Sequence, residues 1–260
     1  MKNKKLVIAF VLVSFIAIFL LHTFTAYIVQ KIPRTKILVK RVIDGDTIVS
    51  STGTRIRLLG INTPEKEEFY HDEATEFLKN MIENKTVEVE SDIIDTDRYG
   101  RLLRYIFLGD KFINSEMVKN GFAHVYLTNY NLRYRDKLLN AQEYAKIHEF
   151  GIWKHSKYYG CIKLDDFSFS DKNEFVKFKN FCNFPVYLDG WYLKDESSRH
   201  KFKFNKITLG SDSSLTLHTG YGYDNLTDIF WNHKPIWNNE GDTVFLYDDD
   251  NLLVFSYSYR

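Results

Sequence analysis

The 260-residue chain is 44% hydrophobic and 27% charged, which excludes a disordered or low-complexity protein and suffices for one large domain or two ordinary ones. Its formal net charge of +1 excludes recognition of nucleic acid by bulk charge alone, so any anion site has to come from placed residues. Its two cysteines, Cys161 and Cys182, form no CxxC and accompany no histidine pair, which argues against a zinc site and a disulfide-framed miniprotein; they read as two unrelated thiols or, in an exported chain, as a single bridge.

Charge is unevenly distributed: three basic and no acidic residues in 1–30, 21 against 19 in 31–157, and 11 against 15 in 158–260. Lys2, Lys4 and Lys5 precede Leu6 to Val29, a 24-residue stretch without Asp, Glu, Lys or Arg, which is long enough to cross a bilayer as a helix. Phe24-Thr25-Ala26-Tyr27 is a poor cleavage site, so the segment is expected to be an uncleaved signal anchor. Lysines and arginines lie on both sides of it. Charge alone therefore does not fix the topology; from the short basic leader the large C-terminal part is expected outside the cell, the cytoplasmic side being the alternative. Residues 1–34 are thus expected to be anchor and stalk, with Pro33 discouraging continuation of the helix.

Strands are expected at Ile37–Ser50, Thr54–Gly60, Thr86–Asp92 and Leu102–Leu108. Helices are expected at Glu67–Asn84, with Tyr70, Ala74, Phe77 and Met81 on one face, at Asn114–Asn120, and along Tyr134, Leu138, Ala141 and Ala145 up to Gly151. This is an α+β pattern of a small barrel with three helices over residues 35–157. From Tyr158 the helical period vanishes. Strand-like runs at Glu174–Phe178, Tyr187–Leu193, His200–Phe204, Ser214–His218 and Thr243–Tyr247 predict a second, all-β domain over 158–260.

Three segments carry candidate chemistry. In Val42–Ile48, VIDGDTI, Asp44 and Asp46 flank a glycine; Asp-Gly is a good hairpin dipeptide, with Thr47 to Val49 as the returning strand. In RIRLLGINTPE, Arg57 lies on a strand, with Asn62, Thr63 and Glu65 beyond its end; Thr63-Pro64-Glu65 also reads as a helix start. In DTDRYGRLLRYIF, Arg98, Tyr99 and Arg101 form a charged turn before a strand.

In order and spacing these segments, with the Gly151-Ile152-Trp153 that ends the last helix, resemble the staphylococcal nuclease-like (thermonuclease) family over about Thr35–His155. The resemblance implies an OB-fold-type five-stranded barrel and a nuclease acting on DNA and RNA, preferentially single-stranded, with Ca2+ as cofactor and 3′-phosphate products. It assigns Asp46, Asn62 and the Thr63 carbonyl to the metal, with Asp44 behind them. Glu65 would position or deprotonate water, and Arg57 and Arg101 would hold the scissile phosphate. Arg98, Tyr99 and Tyr126 would contact the nucleotide. The chemistry suits the residues: a diester and its more highly charged transition state call for fixed cations, and guanidinium groups stay protonated at any working pH. One departure is Asn62, where the family usually has a carboxylate; an uncharged ligand predicts weaker calcium binding.

Glu174–Ser197, Ile207–Gly220 and Pro235–Asp250 resemble the lamin-tail family, an immunoglobulin-like sandwich. That implies a binding or positioning module of unspecified ligand, with Trp191, Trp231 and Trp237 as packing aromatics and Asp248–Asp250 as a solvated turn. The alternative reading of the whole chain is a catalytically weak surface protein that only holds nucleic acid or wall material. Glu65 beside two arginines argues against it, and Asn62 is the residue in its favour.

Overall fold

The computed structural model describes Ser14 and residues 33–127, 133–170, 173–197 and 199–259. The expected membrane span therefore lies outside the described residues except for Ser14; among those described, no helix is long and apolar enough to cross a membrane.

β1 (Thr35–Asp44) and β2 (Thr47–Ser50) form an antiparallel hairpin with Asp44 opposite Thr47, so the single strand expected over Ile37–Ser50 is two strands joined at Gly45-Asp46. β3 (Arg55–Leu58), β5 (Thr86–Glu90), β6 (Leu102–Leu108) and β7 (Lys111–Phe112) extend the sheet in the order β3-β2-β1-β5-β6-β7. β3 also pairs in parallel with β6, which closes five strands into a barrel. The short β4 (Ile61–Asn62) pairs with β8 (His124–Val125) beside it.

Three helices cover the barrel: α1 (His71–Ile82), α2 (Ile113–Lys119) and α3 (Arg135–Ile147), followed by a 3-10 turn at Gly151–Trp153. α1 begins four residues later than expected. Thr63-Pro64 does not start a helix, and Tyr70, expected on the helix face, stands just ahead of it with a left-handed φ of 70°. The buried stripe of α1 is Ala74, Leu78 and Ile82, with Phe77 and Met81 only half-buried at its border. Gly45 is required by a close approach: a Cβ there would meet Ala74 and Thr63 at 2.9 Å, so only hydrogen lets the β1–β2 turn lie against α1 and residue 63.

The C-terminal part is a sandwich of two four-stranded sheets. One contains β9 (Ile162–Ser168), β10 (Phe175–Asn180), β15 (Ser214–His218) and β16 (Asp228–Phe230), in the order β16-β15-β10-β9. The other contains β12 (Tyr192–Lys194), β13 (Lys201–Lys203), β17 (Asp242–Tyr247) and β18 (Leu253–Tyr259), in the order β13-β12-β17-β18. A third, two-stranded ladder joins β11 (Val186–Tyr187) to β14 (Thr208–Leu209). Val176, Phe178, Trp191, Leu193, Val244 and Leu246 interdigitate between the sheets. Cys161 and Cys182 are joined, so the bridge is the reading that holds.

Residues 36–260 pack as one unit. Trp153, Ala145 and Ile152 share a core with Tyr192, Phe245, Tyr247 and Leu253. Ser156 Oγ donates to Asp248 Oδ2 at 2.5 Å, and the backbone of Lys154 and Ser156 pairs with Leu253. Asp248 is therefore buried in this junction and not part of a solvated turn, whereas Asp249 and Asp250 remain exposed.

Candidate nuclease-type site

Strand register brings the site together. Thr47 on β2 stands opposite Arg57 on β3, and Leu58 N–H bonds back to the Asp46 carbonyl at 2.8 Å. Arg57 can therefore reach the turn. Its Nη1 pairs with Asp46 Oδ2 at 2.8 Å and donates to the Ile61 carbonyl at 3.1 Å, while Nη2 donates to Asn62 Oδ1 at 2.7 Å. Asp46 is buried, and its other oxygen accepts from Thr47 Oγ1 at 2.9 Å. Thr47 Oγ1 in turn accepts from Arg101 Nη1 at 3.2 Å. Asp46 thus holds Arg57 directly and Arg101 through one hydroxyl.

Arg101 is aimed by the turn before β6. Asp97 Oδ1 accepts the backbone N–H groups of Tyr99 and Arg101, and Asp97 Oδ2 takes Arg101 Nε at 2.7 Å. Gly100 sits at φ 77°, where a side chain would be strained. Burial tends to raise the Asp97 pKa, but Arg101 outweighs it and holds the carboxyl below its usual range.

Asp44 lies behind Asp46, its Oδ1 accepting the Asp46 N–H at 3.0 Å. Burial, and then the neighbouring Asp46 charge, push its pKa up to about 6. Two carboxylates, one amide oxygen and the buried Thr63 with its backbone carbonyl give an all-oxygen set at one end of the cavity, the donor chemistry suited to a hard cation. The residues present therefore fit calcium.

Glu65 is exposed, between β4 and α1, and its backbone N–H is fixed by Glu68 Oε2 at 2.9 Å. Tyr99 is 65% exposed, with the Arg98 guanidinium 4.8 Å from its ring centre, and Tyr126 is 36% exposed. All ten residues singled out in the sequence (Asp44, Asp46, Arg57, Asn62, Thr63, Glu65, Arg98, Tyr99, Arg101 and Tyr126) line one open cavity of about 980 Å3.

The cavity also has residues that the sequence reading passed over. Asp97 could have been found from its four-residue spacing to Arg101. Ser197, Arg199 and His200 carry no local signal: they belong to the sandwich, on the loop between β12 and β13, yet line the same cavity. That loop makes a further contact, the Glu196 carbonyl accepting Asn62 Nδ2 at 3.1 Å.

Fold and site together define an OB-type barrel protein whose cleft sets guanidinium groups for an anion beside an oxygen cradle for a cation. The family model of the staphylococcal nuclease homologue matches residues 55–155, and that of the lamin tail domain matches 160–260. Among curated relatives, the thermonuclease of Staphylococcus intermedius is 37% identical over 126 residues, 45% of this chain and 75% of that protein. The thermonuclease of Staphylococcus hyicus is 34% identical over 124 residues, 44% of this chain and 73% of that protein. Endonuclease YncB of Bacillus subtilis is 32% identical over 140 residues, 47% of this chain and 66% of that protein. The chain belongs to the staphylococcal nuclease homologue family.

Proposed function

We propose that the protein is a calcium-assisted nuclease, held at the membrane by its N-terminal segment and facing outward, that hydrolyses phosphodiester bonds of DNA and RNA with little sequence preference, single strands foremost. The convergence of Asp46, Arg57, Glu65 and Arg101 on one cavity carries this reading. Attack of water on phosphorus forms one P–O bond as the bond to the 5′-oxygen breaks, the 5′-hydroxyl leaving with a proton from solvent, and on the way charge moves onto the equatorial phosphate oxygens. Arg57 and Arg101 supply fixed donors for those oxygens, and Glu65, exposed in the same cavity, accepts the proton of the attacking water. Asp46, Asn62 and the Thr63 carbonyl would hold the cation, which when bound adds positive charge at the phosphate.

Because Asn62 contributes no charge, calcium affinity in the millimolar range is expected, adequate outside a cell. The Cys161–Cys182 bridge supports the same location, since disulfides persist in oxidising compartments. The family resemblance supports cleavage that leaves 3′-phosphates.

The test is digestion of single-stranded DNA by the full chain, with calcium or with chelator, beside Glu65→Gln. Activity is expected only with calcium and is expected to fall in the variant by about 10²- to 10⁴-fold. Equal rates for wild type and variant would remove Glu65 from the chemistry, and activity undiminished by chelator would remove the metal.

A further inference from the structure

We propose that the sandwich completes the nuclease cleft: Arg199 and His200, on the β12–β13 loop, bind a backbone phosphate of the nucleic acid away from the bond that is cut. The inference rests on the nuclease reading and extends its substrate site to a second domain.

The geometry has three parts. Arg199 and His200 line the cavity that holds Arg57 and Arg101, so a strand lying in that cavity meets both domains. Arg199 is exposed, and its Nη2 donates to the Tyr99 hydroxyl at 2.6 Å, joining the sandwich loop to the Arg98–Arg101 turn. A phenol only partly satisfies a guanidinium, which keeps its charge and further N–H donors for a phosphate. By contrast, Arg57 is paired with Asp46 and Arg101 with Asp97.

His200 is built in by its neighbours. Its Nδ1 bonds Asp195 Oδ2 at 2.6 Å, and the other Asp195 oxygen accepts the N–H and the hydroxyl of Ser197. Asp195 is itself buried, which fixes the imidazole ring and turns Nε2 away from Asp195, where it donates to an anion when the ring is protonated. The hydrogen bond that the ring donates to Asp195 also raises the His200 pKa, extending the range over which the ring is cationic. A sandwich that served only as a tether would need no charged loop inside the cavity.

The experiment uses the full-length protein and single-stranded oligonucleotides of about 12 nucleotides, comparing wild type, Arg199→Ala, Arg199→Lys and the double variant Arg199→Ala/His200→Ala. Steady-state cleavage in calcium and fluorescence anisotropy in chelator are read side by side, each across a salt series. KM and Kd are expected to rise about tenfold in the double variant with kcat within about twofold, as for loss of uniform binding. The slope of log K against log salt should shrink by about 0.7 per lost contact. Arg199→Lys, which keeps the charge, should recover most of the affinity.

An unchanged KM and salt slope in the double variant would overturn the proposal while leaving the nuclease reading intact. So would Arg199→Lys as weak as Arg199→Ala, since the arginine would then serve only its bond to Tyr99. A wild type that binds through Arg199 but never cleaves would sink the nuclease reading and leave a binding wall.

Discussion

In the sandwich, buried aspartates are answered by fixed partners from their own surroundings. Asp242 accepts the backbone N–H groups of Glu196, Asn238 and Thr243, and Asp248 accepts those of Asp250 and Leu252 together with the Ser156 hydroxyl. In the barrel, Asp46 faces Arg57, whose guanidinium is shared with Asn62 and opens onto a cavity, and Asp44 accepts the Asp46 N–H on one oxygen and lines the same cavity. Carboxylates with both oxygens occupied by fixed donors brace turns and have no oxygen left for a ligand. Carboxylates held by a side-chain cation can exchange that partner for another cation. The same residue type is thus structural in one half and available for chemistry in the other.

The largest effect that sharpens this contrast should come from Arg101→Ala. Removing one preorganised donor to transition-state charge is expected to lower kcat by about 10²- to 10³-fold. The melting temperature should hardly move, because the Arg101 pair with Asp97 is a partly exposed i,i+4 contact worth little to stability. Kinetics on single-stranded DNA and a thermal melt of the same sample read both. A variant that melts far lower yet cuts normally would put Arg101 with the bracing residues of the sandwich and break the distinction.

A smaller effect tests the structural side. Burial, and then Asp195, push the Asp242 pKa from 3.8 up to about 6, so the folded state favours the protonated acid. The stability this confers is present at low pH and is lost as pH rises through about 6. Between pH 7.5 and 5 the wild type should therefore gain about 1–1.5 kcal/mol more than Asp242→Asn, a group that does not titrate. Urea denaturation at the two pH values measures it, and parallel changes in the two proteins would show that Asp242 is not the buried acid described.

What was legible in the sequence follows the same division. The barrel site is carried by three short segments whose residues sit at fixed spacings, so the β2–β3–β6 register and the Asp97 turn deliver Asp46, Arg57 and Arg101 to one place. α1 starts at His71 and not at the expected Glu67 because Pro64 to Tyr70 forms a bracket between β4 and the helix, and the left-handed Tyr70 interrupts the helical path just ahead of it. β9 was missed because Asp165 and Asp166 interrupt its apolar pattern, and β18 because Ser256 and Ser258 dilute its end. Arg199 could not have been found at all. It lies 100 residues from Tyr99 in an irregular loop, and only the packing of one domain on the other joins them.

That packing leads to the smallest predicted effect. Lys194 Nζ from the sandwich pairs with Glu68 Oε1 at 2.6 Å, both side chains being largely buried, while Glu68 Oε2 holds the Glu65 N–H. Burial pushes the Glu68 pKa up, but the Lys194 charge and hydrogen bond outweigh it, so the carboxyl stays below its usual range and ionised through neutral pH. A structural cation in one half thereby steadies the backbone of the proposed proton acceptor in the other. In Glu68→Gln/Lys194→Met the charge-assisted bond to Glu65 becomes an ordinary amide one, roughly half as strong. Removing both charges together should change stability by no more than about 1 kcal/mol, since the desolvation cost leaves with them. The kcat is expected to fall by about two- to fivefold, the scale of a slightly loosened catalytic group, with KM unchanged. A kcat equal to wild type would mean that the sandwich touches the barrel's chemistry only through the substrate.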